Sequence, residues 1–215
     1  GRMYIDDVVL VCQEGQLVEV ELAVTAAGMS HVRIVALVES NYNHSQALNA
    51  GISEALHDHI LIADDDTELL EPNGLAPMVG ILNQADVACV APRLVASIGA
   101  DPKIVAGPMI LGLAGSAATY VGESQGLNEA GVYSRLQLSQ DVSAVAGHFF
   151  LMKRADWKAA GGFDETIFTV FNCVLDFCLK LNELGKRHVW TPLTNVLHQG
   201  GKTMEVRCRD IRQKI

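Results

Sequence analysis

Asp64, Asp65 and Asp66 stand side by side in HILIADDDTELLEPNG (59–74), where four apolar residues end in three carboxylates. Adjacent carboxylates repel one another unless water, a metal ion or a cationic side chain offsets their charge. The chemistry open to such a group is cation binding and, through a cation, the handling of a second anion. A solvated acidic turn capping the helix that follows is the plainer alternative. Where the chain puts the cluster decides how far either reading can go.

The surrounding pattern alternates strands and helices. DDVVLVC (6–12) reads as a fully buried strand, LVEVELAVTAAG (17–28) as a helix stopped at Gly28, and VRIVALV (32–38) as a second strand. HSQALNAGISEAL (44–56) has helical spacing and HILIA (59–63) is a third buried strand. Such alternation predicts a mainly parallel sheet covered on both faces. The carboxylates then lie just past the C-terminal end of a buried strand, where ligands bind in open α/β sheets. LAPMVGILNQ (75–84) reads as a helix and DVACVAP (86–92) as a strand. Residues 97–140 have no sustained period and read as an apolar segment at 104–113 followed by a long loop of the kind that covers sites. SAVAGHFFLMKR (143–154) is strand-like, ADWKAAGG (155–162) a short helix stopped by glycines, and NCVLDFCLKLNELG (172–185) an amphipathic helix. HVWTP (188–192) and NVLHQGG (195–201) read as two short closing strands.

The 215 residues, 49% of them apolar, suit one domain with a continuous core. Sixteen basic against twenty-five acidic residues give a net charge of −9, which speaks against a nucleic-acid surface. No apolar run reaches the ~20 residues needed to span a bilayer. Cys12, Cys89, Cys173, Cys178 and Cys208 are odd in number, lie in apolar stretches and form no CxxC pair, which points to reduced, cytoplasmic thiols packed in a core.

ADDDTELLEP, SAVAGHFFLMKRADWKAAGGFDE, FNCVLDFCLKLNELGKRHVWTP and NVLHQGG, in this order and spacing, together resemble the inverting family 2 glycosyltransferases. The likeness runs from about residue 5 to 203 and is nearest to bacterial enzymes that build cell-surface polysaccharides. It implies the GT-A fold, a Rossmann-like nucleotide-diphospho-sugar transferase architecture with helices on both faces of a mainly parallel sheet. It also implies one domain, with a donor and metal half at 5–92, an acceptor half at 93–203 and a tail at 204–215. The reaction implied is transfer of a sugar from a nucleotide-sugar to a saccharide or lipid-linked acceptor. The setting is the cytoplasm, peripheral at the inner membrane and as part of a longer protein. Asp64 and Asp66 match an Asp-x-Asp motif that holds Mg2+ or Mn2+ against the diphosphate, and hard cations do prefer carboxylate oxygens. Residues two apart in an extended segment share a side, so both could reach one ion, with Asp65 beside them at the donor. His198 matches the histidine that completes the metal site, and Gly200 and Gly201 after it would allow close backbone approach. Gly147, His148 and Asp164 fall on the acceptor side, and GGFDE (161–165) is a turn whose Gly161 or Gly162 needs positive φ.

Two departures bear on activity. Inverting transfer needs a general base, which relatives take from an acidic pair at the start of the helix written here FNCVLDFCLKL. Cys173 stands where the first Asp would be, with one extra residue before Asp176, the remaining candidate base. A thiol differs in protonation and hydrogen bonding and is no simple replacement. At the N-terminus, DDVVLVCQEGQ matches the family's second strand, with no first strand before it. The competing expectation is therefore a catalytically impaired domain acting as a binding or regulatory module in a polysaccharide-synthesis protein. A different α/β enzyme using Mg2+ for phosphoryl chemistry would leave the order of the later motifs unexplained.

Overall fold

The computed structural model describes residues 5–38, 42–97, 101–113 and 118–199. Gly200, Gly201, Cys208 and the tail at 204–215 lie outside them. In chain order the elements are β1 (Val8–Gln13), α1 (Leu17–Ala26), β2 (Val32–Leu37), α2 (His44–Glu54), β3 (His59–Ala63), β4 (Thr67–Leu69), α3 (Leu75–Leu82) and β5 (Val87–Val95). They continue with β6 (Ile104–Ala106), β7 (Met109–Leu111), β8 (Ala118–Tyr120), β9 (Gln140–Val142), β10 (Phe149–Lys153), α4 (Arg154–Ala159), α5 (Cys173–Glu183) and β11 (Arg187–His198).

β5 is the axis of the molecule, because all nine of its residues are buried. The central sheet runs β3-β10-β5-β11-β4, with β6 added on β5 and β9 on β11. Side chains alternate across a strand, and β10 divides accordingly. Phe150 and Met152 join Phe177, Cys178 and Leu181 of α5 on one face. Phe149 and Leu151 join Met78 and Leu82 of α3 on the other. Helices therefore cover both faces, and each fully buried large apolar side chain contributes about 1.5–3 kcal/mol.

The α/β organisation is the expected one, but the strand pairing is mixed. β3, β5 and β11 point the same way, while β10 is inserted antiparallel between β3 and β5. Among the described residues of this sheet only β5 and β11 pair in parallel. β10 follows the irregular segment after β6 rather than a crossover helix, so nothing obliges it to run parallel. The two closing strands expected from HVWTP and NVLHQGG are one strand, β11, with an irregularity between Thr191 and Asn195 where Pro192 interrupts the ladder. Pairing resumes because Asn195 accepts from Arg93 Nε at 2.8 Å and donates to Glu71 Oε1 at 2.7 Å.

β1 and β2 pair in parallel from Val8↔Val32 to Gln13↔Leu37 but form a separate two-stranded sheet. No residue of either strand is fully buried, so the run expected to be a core strand is only half-covered. Among the described residues β1 has β2 on one edge and no strand on the other.

The GGFDE turn is tied to α2. Asn43 caps that helix by accepting from Gln46 N at 3.0 Å. Two turns on, Asn49 Oδ1 accepts from Phe163 N (2.9 Å) and Trp157 Nε1 (3.0 Å), and its amide donates to Phe163 O (2.9 Å) and Glu165 Oε1 (2.7 Å). Gly161 and Gly162 both take positive φ, +76° and +77°. A Cβ on Gly162 would meet Asn49 Oδ1 at 2.9 Å, so the contact itself requires glycine.

Asn49→Ala removes four hydrogen bonds at once and should cost about 2–3 kcal/mol, lowering the melting midpoint by roughly 5–10 °C. A midpoint within a degree of wild type would show that the turn is held otherwise. A lone two-stranded sheet is marginal, so amides of β1 and β2 should exchange well before those of β5, β10 and β11. Equal protection across both sheets in hydrogen-exchange mass spectrometry would contradict this.

Candidate metal and donor site

Two ladders converge on the carboxylate cluster. β3 pairs with β10 up to Ala63↔Phe149, and the next backbone bond, Asp64 N to His148 O at 2.8 Å, sets Asp64 opposite His148. β4 pairs with β11 at Thr67↔His198, and Gln199 N donates to Asp66 O at 3.0 Å. Between the ladders the chain turns, with Thr67 N and Oγ1 both donating to Asp64 O, at 3.2 and 2.6 Å. The segment is therefore a turn and not extended, and Asp64 and Asp66 each face a different histidine.

His148 Nδ1 lies 2.8 Å from Asp64 Oδ2, and His198 Nε2 lies 3.4 Å from Asp66 Oδ1. The two imidazoles stack with centroids 4.3 Å apart and planes at 28°. Burial, then the neighbouring His148, holds His198 below the usual histidine range against the opposing pull of Asp66 and Asp64. One ligand atom each from Asp64, His148 and His198 lies within 4.8 Å of the others. A carboxylate and two imidazoles in that space form a donor set that suits a borderline divalent ion.

The histidines line a cleft of about 300 Å³ together with Ala96, Val105, Ala106, Tyr120 and Gln199. That volume is at the lower end of ordinary ligand sites. The Tyr120 phenol, protonated at neutral pH like any tyrosine and pushed further up by burial with Glu123, can donate. A second hollow of about 60 Å³ lies at the C-terminal ends of β1 and β2, among Cys12, Gln13, Gln16, Tyr42, Asn43 and Gln46.

The structure brings together Asp64, Asp66, His148 and His198 of the residues singled out by sequence. His148, expected on the acceptor side, is the direct partner of Asp64. Asp65 is exposed. Gly147 serves close packing, since a Cβ there would approach Val174 Cγ2 to 3.0 Å. Asp164 accepts from Thr166 N and Oγ1, both at 2.8 Å, and from Ile167 N at 2.9 Å within its own turn. Led by the Ile167 bond, these lower its carboxyl to about 2. Asp176 pairs with Lys180 Nζ at 2.6 Å, one helical turn on. Cys173, the first residue of α5, is buried and its thiol is pushed up by burial, with Asp64 adding to the shift. Tyr120 carried no sequence signal, because it lies in the stretch without periodicity.

A family model described as Glycosyltransferase like family 2 matches residues 2–212. Protein y4gI of Sinorhizobium fredii is 32% identical over 161 residues, 73% of this chain but 17% of y4gI. The chain thus spans less than a fifth of that relative. Among solved structures, GalNAc-T7 with UDP, GalNAc and Mn2+ superposes with a TM-score of 0.67 at 16% identity, over 92% of this chain and 38% of that one. The mannosyltransferase PcManGT of Pyrobaculum calidifontis, in complex with GDP-Man and Mn2+, gives 0.59 at 15%, over 91% and 48%. At these identities the likeness to the solved structures is one of fold.

An ion held by Asp64, His148 and His198 binds only the folded chain and so raises its melting midpoint. Mn2+ should give an increment of several degrees that His148→Ala and His198→Ala each abolish and Asp65→Asn leaves intact. A full increment in His148→Ala would exclude that residue from the site.

Proposed function

This chain belongs to the glycosyltransferase-like family 2, and on that premise we propose that it is a metal-dependent, inverting transferase domain moving a sugar from a nucleotide-diphosphate sugar to a saccharide or lipid-linked acceptor. The observation that carries this reading is the convergence of Asp64, His148 and His198 within 4.8 Å at the C-terminal end of β3. Their mixed oxygen and nitrogen donors suit Mn2+ better than Mg2+, which prefers oxygen ligands and retains its waters. When bound, such an ion supplies Lewis-acid stabilisation of diphosphate charge as the nucleotide leaves.

The chain's own residues divide the remaining work. Asp64 and His148 fix one another at 2.8 Å, so neither has to be ordered when a ligand arrives. Asp66 buttresses His198, and Asp65 is left to solvent or the donor. The cleft beside the histidines receives the diphosphate and sugar, with the Tyr120 hydroxyl as an available donor. The hollow at the ends of β1 and β2 is too small for a nucleoside by itself, but the amides of Gln13, Gln16 and Asn43 give it polar groups that can meet the edge of a base.

The acceptor proton is the weak point. Asp176 is the candidate base, about 60° round α5 from Cys173, and Lys180 engages one of its carboxylate oxygens. Cys173, buried and with its thiol raised, does not serve as a base at neutral pH. These two observations favour a second reading, a domain that binds donor within a larger polysaccharide-synthesis protein and transfers little. No helix of the described residues is long and apolar enough to cross a membrane. We place the domain in the cytoplasm, peripheral at the inner membrane, where a nucleotide-sugar and a lipid-linked acceptor meet. The free thiols of Cys89, Cys173 and Cys178, all buried, suit that reducing setting.

Calorimetry with UDP-, GDP- and dTDP-sugars, with and without Mn2+, tests the donor site. Mn2+-dependent binding of at least one donor is expected, and none with any would overturn the assignment. Acceptor transfer is then measured in wild type, Asp176→Asn and Cys173→Asp. If Asp176 is the base, Asp176→Asn loses ~10²- to 10⁴-fold. If the domain lacks a base, wild type binds donor without appreciable transfer and Cys173→Asp gains it. Robust transfer that survives Asp176→Asn contradicts both branches.

A further inference from the structure

A second group of metal-ligand chemistry lies in the core, away from the cleft. His188 on β11 is the register partner of Cys89 on β5 in the parallel ladder, and α5 lays Cys178 over the pair. All three residues are fully buried. The two sulfurs and a ring nitrogen of His188 lie within 4.8 Å of one another. His188 Nε2 donates to the Cys178 carbonyl at 3.0 Å, and because a carbonyl only accepts, Nε2 carries the proton. Nδ1 is then the nitrogen with the free lone pair, and it is buried with no hydrogen-bond partner. Asp156 of α4 adds a second orphan: Oδ1 pairs with Lys186 at 2.9 Å, while Oδ2 is buried without a partner.

Packed thiols alone would account for the cysteines, but not for an unpartnered imidazole nitrogen and carboxylate oxygen in the same region, each a net cost to folding if left so. A ligating histidine commonly donates its other ring N–H to a backbone carbonyl, which fixes the tautomer as it is fixed here. We propose that Cys89, Cys178 and His188 form a structural zinc site in the core that ties α5 to the central β5–β11 ladder, with the Asp156 carboxylate of α4, outside the three-residue cluster, turning in to supply the fourth ligand. Two thiolates and an imidazole select a borderline-soft ion such as Zn2+ and offer little to Mg2+ or Mn2+. The charge of Asp156 acts on both Cys89 and His188. This assignment is independent of the cleft and of any donor.

The test uses Co2+ as a spectroscopic stand-in for Zn2+ on the whole, fully reduced chain. Only a sulfur-ligated ion gives a thiolate-to-cobalt charge-transfer band, so an ion held by Asp64, His148 and His198 is silent in it. One equivalent should develop the band, Zn2+ should bleach it, His198→Ala should keep it, and Cys178→Ser should lose at least half of it. Asp156→Asn should weaken Co2+ binding tenfold or more. Serine in a packed core can prevent folding, so a second readout is taken on His198→Ala: Zn2+ at a hundredfold excess over its Kd should raise the melting midpoint by roughly 5–10 °C. Folded, reduced wild type that gives no thiolate band, or a band lost in His198→Ala and kept in Cys178→Ser, overturns the proposal.

Discussion

The backbone bond from Asp64 N to His148 O is the contact on which the site depends. It extends the β3–β10 ladder by one residue past Ala63↔Phe149 and places a carboxylate opposite an imidazole. Side chains alternate with a period of two, so a slip of one residue in this register would turn the two groups away from each other and exchange Phe150 and Met152 with Phe149 and Leu151 between the α5 and α3 faces. The burial of β10 therefore specifies the site's geometry. The same logic holds on the other side, where β4 and β11 set His198 beside Asp66. The acidic turn is held between two sheet edges that the hydrophobic core fixes, and each of its outer carboxylates meets a histidine rather than the other carboxylate.

Burial on both faces explains why the β5–β11 ladder carries so much of the molecule. Apolar alternation assigns α3 to one face and α5 to the other, and the few polar groups admitted there are positioned by the same ladder. Arg93 and Asn195 steady the bulge of β11, and Cys89 and His188 sit opposite one another beneath α5. The chain thus offers two sets of donors differing in softness and exposure: oxygen and nitrogen at the sheet edge, sulfur and nitrogen in the core. Ligand chemistry alone would sort a Mn2+-like from a Zn2+-like ion between them.

The half-covered β1–β2 pair stands apart from this frame. It is apolar enough for a core, yet none of its residues is fully buried, and its hollow is small. In contrast, the GGFDE turn, apolar at one residue only, is pinned to α2 through Asn49. Apolar sequence and rigidity part company here because burial needs a neighbour, and a polar hub supplies several bonds from one side chain.

The order of α1–α5 with β1, β2, β3, β5 and β10, the placement of the carboxylates after β3 and a positive φ in the Gly161–Gly162 pair were legible in the sequence, because each depends on local periodicity or on backbone sterics within a few residues, while β4 and β6–β9 were not. The likeness to a glycosyltransferase family was legible too, since it rests on the order of short motifs. Tertiary structure alone decided that β10 enters antiparallel, that Pro192 marks a bulge within one strand and not a gap between two, and that β1 is half-exposed. It also decided that His148 belongs with Asp64, 84 residues away, and that Cys89, Cys178 and His188 meet. These are matters of which strand lies beside which and in what register, and that is set by how the whole set of apolar faces closes over β5, a condition that no single stretch of residues contains.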